Sequence, residues 1–338
     1  MPQVSVLLPC YNAETTIEEA LSSLAAQSFQ DFEVICVDDG STDNTVPILE
    51  RWSQRDSRFV LKKKNHRGVI QTANEGLSLC RAPIIVRMDA DDRCHPDRIK
   101  LQRESLLNDP VLTVVSSLVK GFPGEEVGEG FELYFDWLNS LVTHQDISRE
   151  IFVESPLANP STAFRKSWIE KVGGFQDHGW PEDYDLWLRL YLAGAKFAKI
   201  PQVLLEWREH PERLTHQDPR YSVENFLRAK AHYLSKGPAR DRDAVFVWGA
   251  GMTGRRLSKH LVREGLTLAA FVDVDPKKIG STRRGKPIIS KEELPALWKN
   301  YRNPVLLTAV RARKARPLIR ESLEELNLIE GQDWWAAA

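Results

Sequence analysis

Residues 84–92 read Ile84-Ile85-Val86-Arg87-Met88-Asp89-Ala90-Asp91-Asp92. The apolar run over 84–88 predicts a short buried strand, and three carboxylates follow it within four positions. Side by side they repel one another and call for a positive counterpart. A divalent Mg²⁺ or Mn²⁺ carrying a diphosphate suits such a cluster, because these ions take hard oxygen ligands and few of them from protein. The simpler alternative is a solvated acidic turn in which Asp91 or Asp92 caps the helix beginning near Pro96. For a D-x-D spacing alone that alternative is the commoner outcome. A position at the end of a strand shifts the balance toward a site.

On the N-terminal side of this stretch, strand and helix signals alternate. Strands are expected at 4–8, 32–37 and 59–61. Helices are expected through Ile17, Ala20, Leu21 and Leu24, through Leu49 and Trp52, and over 68–79. Such alternation implies a doubly wound, mostly parallel sheet, where ligands bind beyond the carboxyl ends of the strands. Two further turns then fall at that same edge. Pro9-Cys10-Tyr11-Asn12 follows the first strand, and Val37-Asp38-Asp39-Gly40-Ser41-Thr42-Asp43 ends the second. Each is an ordinary strand-to-helix turn by itself, the latter with Ser41 or Thr42 as helix cap. Together they offer an aromatic ring to stack on a nucleobase and a carboxylate to accept its N–H. Convergence of three turns at one edge argues for a nucleotide site.

Beyond residue 120 the chain continues with a Gly- and Glu-rich loop at 121–130, helical signal over 131–153, the Val172-Gly173-Gly174-Phe175 turn, and a helix over 182–192 opening with Glu182-Asp183-Tyr184-Asp185. Asp and Glu favour a helix N-terminus. Asp183 also has the chemistry of a general base, and an adjacent Glu182 or Asp185 raises its pKa by like-charge repulsion.

The runs V-S-V-L-L-P-C-Y-N, V-D-D-G-S-T-D, M-D-A-D-D and E-D-Y-D-L-W-L-R-L, in this order, resemble the family 2 glycosyltransferases, which share the GT-A fold. The resemblance covers roughly residues 3–215. It implies an inverting, metal-dependent transfer of a sugar from a nucleotide-diphosphate donor, a UDP-sugar first among them, to a carbohydrate or lipid-linked hydroxyl in cell-surface polysaccharide or glycolipid synthesis. Position by position, it implies that Tyr11 and Asp39 hold the base, with Pro9 and Asn12 also at the donor nucleotide. Arg67 contacts base or phosphate, and Asp89 the ribose or a metal-bound water. Asp91 is the expected metal ligand, with Asp89 and one of His210 or His216 as further ligands. Asp183 is the expected base, and Ser161, Thr162 and Glu182 lie on the acceptor side.

A polar, Gly-Pro-containing stretch at 235–243 marks a linker. The expected domains are 1–234, of GT-A type, and 244–338, a smaller Rossmann-like α/β domain. In the latter, a strand at 244–248 leads into Gly249-Ala250-Gly251-Met252-Thr253-Gly254 and a helix over 255–264, and the next strand, at 268–272, ends at Asp273. This is the setting of a dinucleotide turn. Gly249, Gly251, Gly254 and Asp273 are therefore a second nucleotide site to be tested. An NAD-like dinucleotide is the weaker reading, since no proton-transfer group accompanies the turn. The basic run 311–316 reads as a solvated surface.

A net charge of −1 over 338 residues gives no bulk attraction for nucleic acid. No apolar run approaches the ~20 residues of a membrane helix. The start Met1-Pro2-Gln3-Val4 has no signal-peptide pattern. A cytoplasmic protein is expected, with peripheral contact at the inner membrane face and a homo-oligomer both open. Cys10, Cys36, Cys80 and Cys94 show no C-x-x-C pairing and are expected to be reduced and mostly buried. Two rival functions remain. Nucleotidyl transfer needs a basic, glycine-rich loop after the first strand, which Pro9-Cys10-Tyr11-Asn12 is not. A non-catalytic nucleotide-sugar-binding protein has no need of both Asp91 and Asp183.

Overall fold

In the computed structural model the described residues are 1–123, 128–312 and 314–338. The acidic part of the expected 121–130 loop and Arg313 of the basic run lie outside them. The chain divides into two compact units. The first is Met1–Ile147, Pro156–His178 and Glu182–Gln217, and the second is Ser148–Ser155, Gly179–Pro181 and Asp218–Ala338.

The first unit is built on one eight-stranded sheet. Its strands are β1 (Val4–Cys10), β2 (Phe32–Asp38), β3 (Phe59–Lys63), β4 (Ile84–Arg87), β5 (Arg93–Cys94), β6 (Leu112–Phe122), β7 (Ala163–Arg165) and β8 (Lys196–Arg208). The order is β3-β2-β1-β4-β7-β6-β8-β5. Strands β3, β2, β1 and β4 are mutually parallel, and β7 runs antiparallel to β4 and β6. The chain builds outward from β1 to β3, then returns to lay β4 on the other side of β1. That reversal opens a crevice at the carboxyl ends of β1 and β4.

Strict alternation explains why the sheet is covered on both faces. Val4, Val6, Leu8, Val34 and Cys36 face a core completed by the helices Ile17–Ala25 and Thr45–Arg55. Leu7, Ile35 and Val37 face the opposite core, completed by Val69–Leu79 and Glu182–Leu192. All four cysteines are buried and free.

The second unit holds a six-stranded sheet of order β11-β12-β10-β9-β13-β14. Its strands are β9 (Ala244–Trp248), β10 (Leu268–Val272), β11 (Thr282–Arg283), β12 (Lys286–Ile289), β13 (Pro304–Thr308) and β14 (Trp334–Ala336). All pairings are parallel except the β11–β12 hairpin. This is a Rossmann-like arrangement, as expected. The division between the units differs from the expected one. The helix Val223–Lys236, placed by pattern with the first domain, belongs to the second unit, and the boundary falls after Gln217. The expected linker is also structured, since Arg242 donates to Pro304 O and Gln332 O at 3.1 and 2.6 Å.

Candidate active site

The turns after β1 and β2 are joined by side chain–backbone bonds. Asn12 N–H donates to Ser41 Oγ at 2.9 Å, Ala13 N–H to Thr45 Oγ1 at 2.7 Å, and Thr42 N–H to Asn12 Oδ1 at 2.9 Å. Asn12 adopts φ 47°, a left-handed conformation that Asn tolerates. Asn12 therefore ties the two turns together, while Pro9 stays within β1, opposite Val37. Asp38 accepts from Gly40 N–H at 3.1 Å and Ser41 N–H at 3.2 Å, closing the second turn. A Cβ on Gly40, at φ +76°, would stand 2.7 Å from His66 N, so only glycine lets this turn meet the 64–68 loop.

Asp39 is buried beneath that loop. Its carboxylate accepts from Arg67 N–H at 3.0 Å and Gly68 N–H at 2.8 Å, with His66 Nδ1 at 2.9 Å. Burial pushes its pKa up, but these bonds outweigh it and hold the group below its ordinary value. Asp39, expected to hold the base, accepts these bonds at both oxygens and so shapes the loop that carries Arg67. Tyr11 is exposed, and its ring lies 4.3 Å from that of His66. Sequence reasoning passed over His66. Its role depends on a contact across 55 residues of chain, with no local pattern to signal it.

The carboxylates after β4 come together as expected. Asp89, Asp91 and Asp92 present oxygens within 4.8 Å of one another. Asp89 is held by the buried Arg87 guanidinium at 2.6 Å. Asp91 Oδ2 lies 3.0 Å from His210 Nε2. Asp92 is fully buried; its Oδ1 accepts from Arg208 N–H at 2.8 Å, whereas Oδ2 has no partner among the described residues. Burial pushes Asp92 well above the carboxylate range, and the charges of Asp91 and Asp89 push it further. Burial raises Asp89 as well, against the pull of Arg87. An orphaned, buried carboxylate oxygen in a repelling trio fits a divalent cation.

Of the two histidines considered, His216 turns to Glu209 instead, at 2.6 Å, a carboxylate that also holds Arg213 at 2.6 Å. Behind the cluster lies a fully buried cation, Arg98. It donates to Arg87 O at 2.7 Å and Pro160 O at 2.5 Å, and burial lowers its pKa to about 10. No sequence signal distinguished this arginine from the surface cations of its helix.

Asp183 sits in the first turn of Glu182–Leu192, where its Oδ1 accepts from Tyr184 N–H at 2.7 Å. Burial raises its pKa to about 8, with Glu182 adding to the rise and Asp89 contributing a smaller push. Asp185 is fully buried and paired with Arg189 at 2.7 Å.

The expectation for Ser161 and Thr162 needs correction. Both are fully buried. Ser161 Oγ donates to Ala158 O at 2.7 Å and lies 2.6 Å from Ser116 Oγ, and Thr162 Oγ1 donates to Asn159 O at 2.7 Å. These hydroxyls are spent closing the turn Asn159–Ser161 and bonding within the core. Glu182 is buried as well.

In the second unit, a Cβ on Gly254 would stand 1.8 Å from Gly249 O, so this glycine serves close packing of helix on strand. Asp273 accepts from Ala250 N–H at 2.8 Å and Asp275 N–H at 3.0 Å, and pairs with Lys278 at 3.2 Å. Asp273, expected in a second nucleotide site, is thereby bonded to the glycine turn itself. Gly251 stands open, with nothing within 4 Å of an added Cβ.

The model of the family Glycosyl transferase family 2 matches residues 5–173, half of the chain. An uncharacterized glycosyltransferase of Haemophilus influenzae is 31% identical over 215 residues, covering 62% of this chain and 66% of that protein, just under two thirds. The amylovoran biosynthesis glycosyltransferase AmsE of Erwinia amylovora is 29% identical over 208 residues, 60% of this chain and 75% of its own. A UDP-Gal:alpha-D-GlcNAc-diphosphoundecaprenol beta-1,3-galactosyltransferase of Escherichia coli is 27% identical over 212 residues, 61% of this chain and 74% of its own. Among solved structures, S. aureus TarS 1–349 in complex with UDP-GlcNAc shares the fold at TM-score 0.56 and 22% identity, over 78% of this chain and 72% of that one.

Proposed function

We infer the reaction from one premise: the chain belongs to glycosyl transferase family 2. It moves a sugar from a nucleotide-diphosphate donor to a hydroxyl acceptor, with inversion at the anomeric carbon, in the assembly of a cell-surface polysaccharide or glycolipid. The observation that carries this reading is the presence of two kinds of carboxylate near enough for the charge of Asp89 to act on Asp183. One is a repelling trio with an unpartnered buried oxygen, and the other is a single acid, Asp183, with its pKa raised to about 8. The names of the Erwinia and Escherichia relatives favour polysaccharide assembly and a UDP-sugar donor.

Asp91, with Asp92 and Asp89 beside it and His210 within reach, would hold Mn²⁺ or Mg²⁺. Bound there, the ion would stabilise the negative charge developing on the departing diphosphate. Tyr11 and His66 offer ring faces to the base, and Asp39 fixes the loop that presents His66 and Arg67. Arg87 keeps Asp89 oriented. Asp183 accepts the proton of the attacking hydroxyl at Oδ2, the oxygen not engaged by Tyr184 N–H. A raised pKa makes it a stronger base than an ordinary aspartate. Nucleotidyl transfer fits less well, because the N–H groups of Asn12 and Ala13 after β1 are committed to Ser41 and Thr45. In the second unit Gly254 of the glycine turn serves packing, with Asp273 bonded to the turn.

The test is stereochemical. The chain is incubated with Mn²⁺, α-linked UDP-sugars and sugar or lipid-linked acceptors, and the product linkage is read by proton NMR. A β-linked product is expected. An α-linked product, or transfer undiminished after chelation of the metal, contradicts the reading.

A further inference from the structure

A cavity of ≈ 720 Å³ opens on the second unit between the end of the helix Met252–Arg263, the start of β10 and the β11–β12 hairpin. Four cations, Lys259, Arg263, Arg284 and Lys286, surround an apolar side formed by Val262 and Leu266, and no carboxylate lines it among the described residues. Its volume is within the range of small-ligand sites.

The cations come from separate elements, and their convergence has no simple structural cause. A helix dipole favours a cation in the last turn, which accounts for Arg263. It does not account for Arg284 and Lys286 on the hairpin. Lys259 is positioned by Glu224 at 2.9 Å, and Arg284 by bonds to Arg255 O at 3.0 Å and Ser258 Oγ at 3.2 Å. The nearby acid Glu264 is turned to His232 at 3.2 Å. Neither the helix Met252–Arg263 nor residues 277–286 contain an acid, although the whole chain carries a net charge of only −1. At the rim, Val262 is 49% exposed, an apolar side chain amid cations.

We propose that this cavity binds the phosphate of an anionic lipid headgroup and docks the second unit on a membrane surface. The cations meet the phosphate, and Val262 and Leu266 meet the first carbons of the lipid. Exposed apolar surface directly beside the charges favours a lipid over a free phosphate, which needs only the cations. This proposal is independent of the glycosyl transfer reading, since none of its residues lies in the first unit.

The experiment is co-sedimentation of the full chain with vesicles of phosphatidylcholine alone or mixed with phosphatidylglycerol, at ~0.05 M and ~0.5 M salt. Wild type and the control Lys100→Glu are expected to pellet with anionic vesicles at low salt and to release at high salt. The double variant Arg263→Glu, Lys286→Glu should bind at least tenfold more weakly with an unchanged Tm, and Val262→Asp should also lose binding. Failure of wild type to pellet with anionic vesicles overturns the proposal, as does a double variant that pellets equally. Inorganic diphosphate is titrated in parallel by calorimetry. If it binds and the double variant abolishes that binding while vesicles stay unbound, the cavity is a soluble-phosphate site and the lipid assignment is wrong.

Discussion

Asp183 carries two consequences of one displaced equilibrium. Asparagine matches its size but takes no proton, so Asp183→Asn should lower turnover by ~10²–10⁴ with donor affinity little changed. Steady-state kinetics with a donor-binding measurement separates the two effects. The acid limb of the wild-type rate profile should lie well above the ordinary carboxylate range, because the residue titrates at about 8 instead of 3.8. The same shift acts on stability with the opposite sign from a salt-bridged aspartate. Here the folded state holds the proton more tightly than the unfolded state. Stability associated with the group is therefore complete below about pH 3.8 and is lost as pH rises through about 8. Above pH 8 Asp183→Asn should melt higher than wild type. A variant that melts lower at pH 9 contradicts the assignment.

At the scale of elements, the strands and helices were legible wherever periodicity was strong. The expected strands at 244–248 and 268–272 coincide with β9 and β10, and the helix over 182–192 has the bounds read from its pattern. Side-chain roles between elements were not legible. Ser161 and Thr162 looked like acceptor contacts because a hydroxyl in sequence carries no direction, and only burial shows that both face inward. Arg98 and His66 act on groups far along the chain, so residue type alone gave no hint. These long-range contacts predict where substitution hurts. Arg98→Met leaves Arg87 O and Pro160 O without their buried donor. Each lost partner costs about 1–3 kcal/mol, so chemical denaturation should show clear destabilisation. Gly40→Ala forces a side chain into the left-handed region and against His66 N, at a cost of at least about 1 kcal/mol. It should also weaken nucleotide affinity by displacing the loop, measurable by calorimetry with UDP.

For the molecule as a whole, composition and the alternation of elements foretold two α/β units, but not which segments each would claim. The helical pattern over 222–234 says nothing of the core it joins. Nor does the sequence reveal that Ser148–Ser155, an excursion from the first unit, folds with the second. There the Glu150 carboxylate meets Arg316 at 2.8 Å and Arg320 at 2.6 Å, and Lys230 donates to Val153 O at 2.6 Å. A chain ended at Gln217 strips these partners from the excursion and leaves Glu150 without its cations. Its Tm should fall below that of the full chain. An unchanged Tm contradicts this view of the second unit as a support for the first unit's excursion.

The central claim is that Asp91 and its neighbours hold a divalent ion that binds the donor diphosphate, while Asp183 acts on the acceptor. Thermal shift tests it most directly, since a ligand bound only to the folded state raises Tm by mass action. Wild type, Asp91→Ala and Asp183→Asn are each melted with UDP-sugars, with and without Mn²⁺, and each is compared with its own ligand-free Tm. The account predicts a donor-induced rise that requires Mn²⁺, vanishes in Asp91→Ala and persists in Asp183→Asn. An equal rise in Asp91→Ala with Mn²⁺, or loss of the rise in Asp183→Asn, contradicts it.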